Sequence, residues 1–248
     1  MRKTVFSILL GLTCWAALVP HSGSWIRGRS EAECVVLLHG IGRSPRSLSR
    51  LESALSDRGY RVFNLDYPST EFPIEYLAEE VLHPLIERLR RESPAKLHFV
   101  THSMGGIVVR YYLQHHDLPN LGRIVMLSPP NGGSELADLL SRSIIFKRLM
   151  APAGRQLGTD AEGLPRRLGG ADFELGVIAG NKSYNPINSL ILDGPDDGTV
   201  TVESTKLPGM TDFIVLGFSH RSIIRSKVVI GQVIHFLRSG AFRHDPGR

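Results

Sequence analysis

An apolar run, Leu97-His98-Phe99-Val100-Thr101, stops at His102-Ser103 and is followed at once by Met104-Gly105-Gly106. This junction restricts the fold more than any other stretch of the chain. The run reads as a buried strand. The residues beyond it, Ile107, Val108, Val109, Tyr111, Tyr112 and Leu113, read as a buried helix. A strand that turns directly into a helix needs small residues where the two backbones approach. The serine then occupies the apex in a conformation that few sequences tolerate, with its hydroxyl held clear of the sheet. Such a serine is a candidate nucleophile, and it predicts a base and an orienting acid further along the chain.

The same alternation extends in both directions. Cys34 to His39 is a β-branched-rich run ended by Gly40, and Leu48, Leu51 and Leu55 then recur at helical spacing up to Gly59. Tyr60 to Tyr67 is a second strand. Leu77, Val81, Leu85, Ile86 and Leu89 give a helical face that Pro84 must kink or restart. Leu97–Thr101, Arg123–Leu127, Glu174–Ala179 and Asp212–Phe218 supply the remaining strands, and a helix over Ile223–Leu237 closes the chain. Parallel strands joined by right-handed crossover helices make a doubly wound sheet with helices on both faces. The expectation is one α/β domain over residues 25–248.

Residues 1–24 read differently. Arg2 and Lys3 precede an uncharged apolar run from Thr4 to Val19, Pro20 breaks it, and Ser22, Gly23 and Ser24 follow. This is the pattern of a secretory signal peptide, short for a span of about 20 apolar residues. The expectation is an exported protein, periplasmic or secreted, or one held at the membrane by an uncleaved signal-anchor. Only Cys34 lies outside that segment among the two cysteines, so no internal disulfide is expected. Cys34 reads as a small buried hydrophobe. The formal charge of +5 is mild, and no arginine-rich arm interleaved with aromatics is present, so nucleic acid is not an expected partner.

Residues 135–172 break the rhythm. Leu136, Leu139, Leu140, Ile144, Ile145, Phe146 and Leu149 alternate with Arg142, Lys147 and Arg148, as in an amphipathic helix or helix pair. Pro152, Gly154, Gly158, Gly163 and Pro165 then suggest a loose return. The segment is either a small cap over the active site, with contact to a membrane surface, or an enlarged surface crossover.

Among ten histidines, His220 stands apart because it follows the last strand, at the carboxyl edge where Ser103 must also lie. It is the candidate base. His39 is expected to shape its loop, and His102, beside the serine, to face the core. The turn Asp193-Gly194-Pro195-Asp196-Asp197-Gly198-Thr199-Val200 lies between serine and histidine and offers the acid. Asp197, directly followed by Gly198, is preferred; Asp196 is the near rival and Asp193 the third choice. The order Ser103, Asp197, His220 is that of α/β-hydrolases. A developing oxyanion needs two N–H donors. Met104, the residue after the nucleophile, is one, and Ile41 in the loop His39-Gly40-Ile41-Gly42 is the other. The acidic turn lacks the alternating oxygen ligands of a calcium loop, so neither metal nor cofactor is expected.

The motifs Leu37-Leu38-His39-Gly40-Ile41-Gly42, Thr101 to Gly106, Pro130-Asn131-Gly132-Gly133-Ser134, Asp196 to Val200 and Ser219-His220 resemble the bacterial lipase and esterase branch of the α/β-hydrolase superfamily. They are similar to small triacylglycerol lipases and to the catalytic core of lipases of the GPI inositol-deacylase kind. In that branch an Asn-Asp-Gly-x-Val turn carries the acid, which the resemblance places on Asp197. Two features depart from the pattern: Thr101 stands where the first glycine of G-x-S-x-G is usual, and the short lead into Cys34 implies a minimal sheet of about six strands. The resemblance implies a carboxylic ester hydrolase acting through an acyl-enzyme on a small-molecule or lipid ester. Thioester or amide cleavage and acyl transfer use the same machinery, and a non-catalytic, membrane-anchored binding module is the reading from a different class.

Overall fold

A computed structural model describes residues 32–141, 151–161 and 163–244. The expected signal segment 1–24 and the middle of the expected cap lie outside the described residues. Six parallel strands form one sheet: β1 (Cys34–Leu38), β2 (Arg61–Leu65), β3 (Leu97–His102), β4 (Leu121–Leu127), β5 (Leu175–Gly180) and β6 (Asp212–Leu216), in the spatial order β2-β1-β3-β4-β5-β6. The six-stranded, doubly wound expectation is met. Val36 pairs with Phe99 and Leu38 with Thr101, so β1 and β3 end side by side. The chain winds outward from β1 to β2 and then returns across β1 to β3. The crevice at such a reversal, outside the carboxyl ends of the strands, is where open α/β sheets bind ligands. The loop after β1 and the turn at Ser103 meet there.

Alternate strand residues feed two cores. Val35, Leu37, Val100, Val125 and Ile178 pack against α1 (Ser49–Ser56) and the final helix Lys227–Ser239. On the other face Val36, Phe99, Ile124, Met126 and Val177 join Ile86, Leu89, Ile107, Val108 and Tyr112. The latter come from the helices around Pro84 and beyond Ser103. The inner strands β1 and β5 are buried along their whole length because both of their sides are covered by helices, whereas the edge strands β2 and β6 are partly open.

Three details differ from the pattern reading. The helix interrupted by Pro84 runs as α2 (Ile74–Tyr76), a π-helical turn over Leu77–Leu82, and α3 (His83–Arg91). Proline offers no N–H and clashes with the preceding turn, and the widened turn just before it takes up the misfit. The closing helix begins only at Lys227. Ile223–Arg225 is a separate 3₁₀ turn, and Ser226 caps the helix by accepting a bond from the Val229 N–H at 3.4 Å. The return after residue 151 is packed rather than loose: Ala153, Leu157, Leu164 and Leu168 are buried in the core, and Gln156 bonds the Ile74 N–H at 2.8 Å and Glu75 at 2.7 Å. Its glycines serve close packing, as where a Cβ on Gly163 would stand 2.5 Å from Gly158 O. Among the described residues no helix is long and apolar enough to cross a membrane.

Arg110, on α4 (Met104–His115), binds that return to the sheet. It is buried, has no acidic partner among the described residues, and donates instead to Asn131 Oδ1 (3.1 Å), Pro165 O (2.8 Å) and Gly169 O (2.7 Å). Burial pulls its guanidinium down to about 10. Replacing it strands those acceptors, each costing roughly 1–3 kcal/mol when unpaired. We therefore expect Arg110→Met to lower the unfolding free energy by about 2–4 kcal/mol in urea titrations. A change within experimental error would show that water replaces the guanidinium there.

His39, His98 and His102 are buried at or near strand ends, and desolvation by burial lowers the pKa of each. The folded state favours their neutral forms. Their contribution is therefore complete above the unfolded histidine pKa of about 6.5 and is lost as pH falls toward the lowered folded values. The melting temperature should drop between pH 7 and 5, and His98→Asn should flatten that slope.

Candidate functional site

Ser103 lies between the end of β3 and the start of α4 with φ 55° and ψ −129°, a conformation side chains rarely adopt. The surrounding bonds fix it there. Its N–H continues the sheet ladder to Leu127 O at 2.9 Å, and its carbonyl accepts the first helical bond from the Gly106 N–H at 3.0 Å. Gly105 has no room for a side chain: a Cβ would stand 2.7 Å from Leu38 O and 2.9 Å from His39 O. Gly106 explains how Thr101 is tolerated. A Cβ at 106 would meet Thr101 Oγ1 at 3.2 Å, so the branched residue on the strand is accommodated by the missing side chain on the helix.

The loop after β1 closes over this turn. A Cβ on Gly40 would lie 3.0 Å from Ser103 Cβ and 2.9 Å from His102 Nδ1. The backbone then folds back, with the Arg43 N–H bonding Gly40 O at 3.2 Å and the Gly42 N–H bonding Ser69 Oγ at 3.0 Å. Ile41 sits at the bend, half-buried against the core. His39 does shape this loop: its Nδ1 lies 2.9 Å from Gly40 O, its ring stacks on Tyr67 at 4.2 Å, and the Tyr67 hydroxyl donates to its carbonyl. The Ile41 bend and Met104, at the first position of α4, are thus carried on two segments that touch through Gly40 and Ser103.

Asp197 and His220 are joined twice. His220 Nδ1 lies 2.8 Å from Asp197 Oδ2, and the His220 N–H donates to the Asp197 carbonyl at 2.9 Å. Asp197 Oδ1 accepts from the N–H groups of Thr199 (3.0 Å) and Val200 (2.9 Å). Burial alone would raise the Asp197 pKa, but the His220 charge and hydrogen bond overcome it, helped by the Ser128 hydroxyl and the Val200 amide, and the carboxyl is held below its ordinary range. Asp196 is committed elsewhere, to the Gly198 N–H at 2.7 Å and Ser189 Oγ at 3.1 Å. Asp193 is exposed. Of the three carboxylates in the turn, only Asp197 is hydrogen-bonded to His220 among the described residues.

Ser103 and His220 are linked through His102. His102 Nε2 lies 2.9 Å from the His220 carbonyl, and the two rings are 4.7 Å apart. Burial, followed by the His220 charge, lowers the His102 pKa well below the usual value, so its ring is neutral. Among the described residues no direct hydrogen bond joins Ser103 Oγ to His220; such contacts often form fully only around a substrate. The sequence reading placed His102 in the core, and it is buried, but it also holds the loop that carries His220. Adjacency to Ser103 was the only signal for this.

Two further residues had no role assigned from the sequence, Ser134 being named only within the Pro130–Ser134 motif. Ser128, at the end of β4, is fully buried with φ 47°, and its hydroxyl is close enough to Asp197 to favour the ionised carboxylate. Ser134 Oγ caps the helix α5 (Glu135–Ser141) through the Ala137 N–H at 3.3 Å and approaches Thr199 O at 3.4 Å. A cleft of about 410 Å³ lined by Tyr184, Asn188, Thr199, His220 and Arg221 opens beside the Asp197–His220 pair. Among the described residues no group of three or more His, Cys, Asp or Glu side chains is placed to hold a metal ion.

Comparison with known proteins agrees with this architecture. A family model described as the alpha/beta hydrolase family matches residues 35–214. The chain is 24% identical over 224 residues to the lysosomal thioesterase PPT2 of Rattus norvegicus, covering 79% of this chain and 72% of that protein. Among solved structures, the mature lipase BlEst2 of Bacillus licheniformis superposes with a TM-score of 0.65 at 22% identity, covering 85% of this chain and 93% of that one. The phospholipase PlaB of Legionella pneumophila gives a TM-score of 0.64 at 20% identity, over 82% of this chain and 56% of that one. With a matched model spanning the sheet from β1 into β6, the chain belongs to the alpha/beta hydrolase family.

Proposed function

We propose that the chain is a serine hydrolase that cleaves carboxylic esters through an acyl-enzyme. The observation that carries this reading is the Asp197–His220 contact of 2.8 Å, held at the sheet edge where the strained turn presents Ser103. With Nδ1 engaged by a buried carboxylate, Nε2 is the histidine nitrogen left to take a proton. In this mechanism His220 removes the Ser103 proton as Oγ attacks the substrate carbonyl, and Asp197 stabilises the imidazolium and fixes its tautomer. The amides of Ile41 and Met104 receive the oxyanion. His220 then returns the proton to the leaving alcohol, activates a water for attack on the acyl-serine, and gives its proton back to Ser103 as the acid departs.

Lipases and a phospholipase among the structural neighbours support an acyl ester as substrate. The resemblance to a thioesterase supports a second reading, thioester cleavage by the same acyl-enzyme route, because both leaving groups depart from the same tetrahedral intermediate. An amide or an acceptor alcohol would need more from the site, and nothing observed favours either.

Two outcomes are expected. A fluorophosphonate probe should label the protein once, at Ser103, and Ser103→Ala should abolish labelling; a folded wild-type chain that stays unlabelled would sink the hydrolase reading. On a p-nitrophenyl ester, Asp197→Asn should lower kcat by about 10³- to 10⁴-fold, the cost of holding the wrong histidine tautomer. Asp196→Asn should stay near wild type, because its remaining oxygen can still accept from Gly198 and Ser189. The opposite ranking would move the acid to Asp196.

A further inference from the structure

Five arginines gather around the loop after β1 and the segment after His220. Arg43, Arg46 and Arg225 line a recess of about 330 Å³ together with Gly42, Ser44 and Ser47. Arg50 and Arg221 flank it: Arg50 Nη1 donates to Arg225 O at 3.4 Å, and Arg221 is close enough to Arg43 for mutual repulsion. None of the five takes part in an ion pair among the described residues. Glu52, on the neighbouring helix α1, is turned to Asn64 Nδ2 at 2.7 Å, and that amide also bonds Pro45 O at 2.9 Å. Arg43 is half-buried; desolvation and then the charges of Arg221 and Arg225 lower its pKa. Like charges crowded in this way, with no ion-pair partner among the described residues, favour uptake of an anion.

The position of the recess limits what that anion is. It shares Gly42 and Arg43 with the loop whose Gly40 lies against Ser103, and the Arg43 N–H bonds Gly40 O at 3.2 Å. Arg221 directly follows His220. The Arg43 charge is felt at His102, the residue before Ser103. The anion would therefore sit on the same loops that flank an ester carbonyl placed over Ser103, so that one substrate could carry both groups. A fatty carboxylate offers only two acceptor atoms and one charge. A phosphate monoester offers three terminal oxygens and up to two charges, and a phosphodiester, with one charge, adds two bridging oxygens to its two terminal ones; guanidinium forks match the terminal oxygens in pairs. Several arginines around one recess suit the phosphate.

Resting on the ester- or thioester-hydrolase reading above, we propose that this recess binds a phosphate group carried by the acyl substrate. Two substrate kinds share that chemistry: a glycerophospholipid, with its phosphate close to the scissile ester, and an acyl thioester of a phosphate-bearing carrier such as coenzyme A.

The test uses the full chain, Arg46→Gln/Arg225→Gln, which lies outside the Ser103 and His220 turns, and Arg46→Lys/Arg225→Lys, which keeps the charge. Calorimetry with glycerol 3-phosphate, and with glycerol as the neutral comparison, reads binding without turnover. Wild type should bind the phosphate form alone, the glutamine pair should weaken it about tenfold or more, and the lysine pair should retain part of it. Rates then separate the sources. One arm compares kcat/KM for lysophosphatidylglycerol with that for monoacylglycerol of the same chain. The other compares octanoyl-coenzyme A with the octanoyl thioester of N-acetylcysteamine. A drop of about tenfold in the charged-to-neutral ratio on the glutamine pair, confined to one arm, supports the proposal and names the source. Turnover of the neutral partners with both ratios unmoved overturns the phosphate site alone. Arginine-dependent binding without turnover of any of these substrates contradicts the hydrolase reading, and the substrate assignment with it.

Discussion

The close approach of the helix after Ser103 to the end of β1 is the constraint on which the rest of the site depends. Gly105 places backbone against the carbonyls of Leu38 and His39, and Gly40 places the opposing loop against Ser103. Any side chain at either glycine would push the two segments apart. Because they cannot separate, the serine is held at φ 55°, and the bend at Ile41 and the first amide of α4 stay near one another. The strain at Ser103 is sustained by the ladder bond to Leu127 on one side and the helical bond from Gly106 on the other. The switch in winding direction between β1 and β3 brings these segments together in the first place.

The parallel sheet supplies the second half of the site. Because all six strands run the same way, the loops after β5 and β6 emerge at the edge that carries Ser103. Asp197 is fixed by two amides of its own turn before it meets His220, so the carboxylate is oriented without help from the imidazole. The backbone bond between the same two residues locks the loops to each other. His102 completes the connection by holding the His220 carbonyl from beneath. Arg110 and Asn131 do comparable work on the far side of α4, joining the loop after β4 to the return of the 135–172 segment. The buried side chains of Arg110 and Asn131 are tolerated there because both are hydrogen-bonded.

Much of this was legible in the sequence because it is local. Cys34–Leu38 and Leu97–His102 announce themselves as buried strands by composition, and Ser103-Met104-Gly105-Gly106 announces the turn. Asp197 and His220 could be singled out because each follows a strand in the expected order. What was not legible depends on contacts between residues far apart in the chain. Nothing near His102 says that its ring will meet the His220 carbonyl, and nothing near Arg110 says that its partners will be carbonyls at Pro165 and Gly169. The π-helical turn before Pro84 is a compromise between a local rule and tertiary packing, which the proline predicted only as a disturbance. The arginine recess is the same kind of case. Arg43 and Arg225 are far apart in the chain, and only the fold sets them around one space.

The charge around that recess and the chemistry proposed at Ser103 are joined by a single loop, so the geometry of that loop during reaction is decisive. A crystal structure of the protein after reaction with a p-nitrophenyl alkylphosphonate tests it most directly, because the bound phosphonyl group imitates the tetrahedral intermediate. Phosphorus should be bonded to Ser103 Oγ, its oxygen about 3 Å from the amide nitrogens of Ile41 and Met104, and His220 Nε2 turned toward the serine oxygen. An adduct on another residue, or a phosphonyl oxygen pointing to solvent with neither amide in reach, would contradict it.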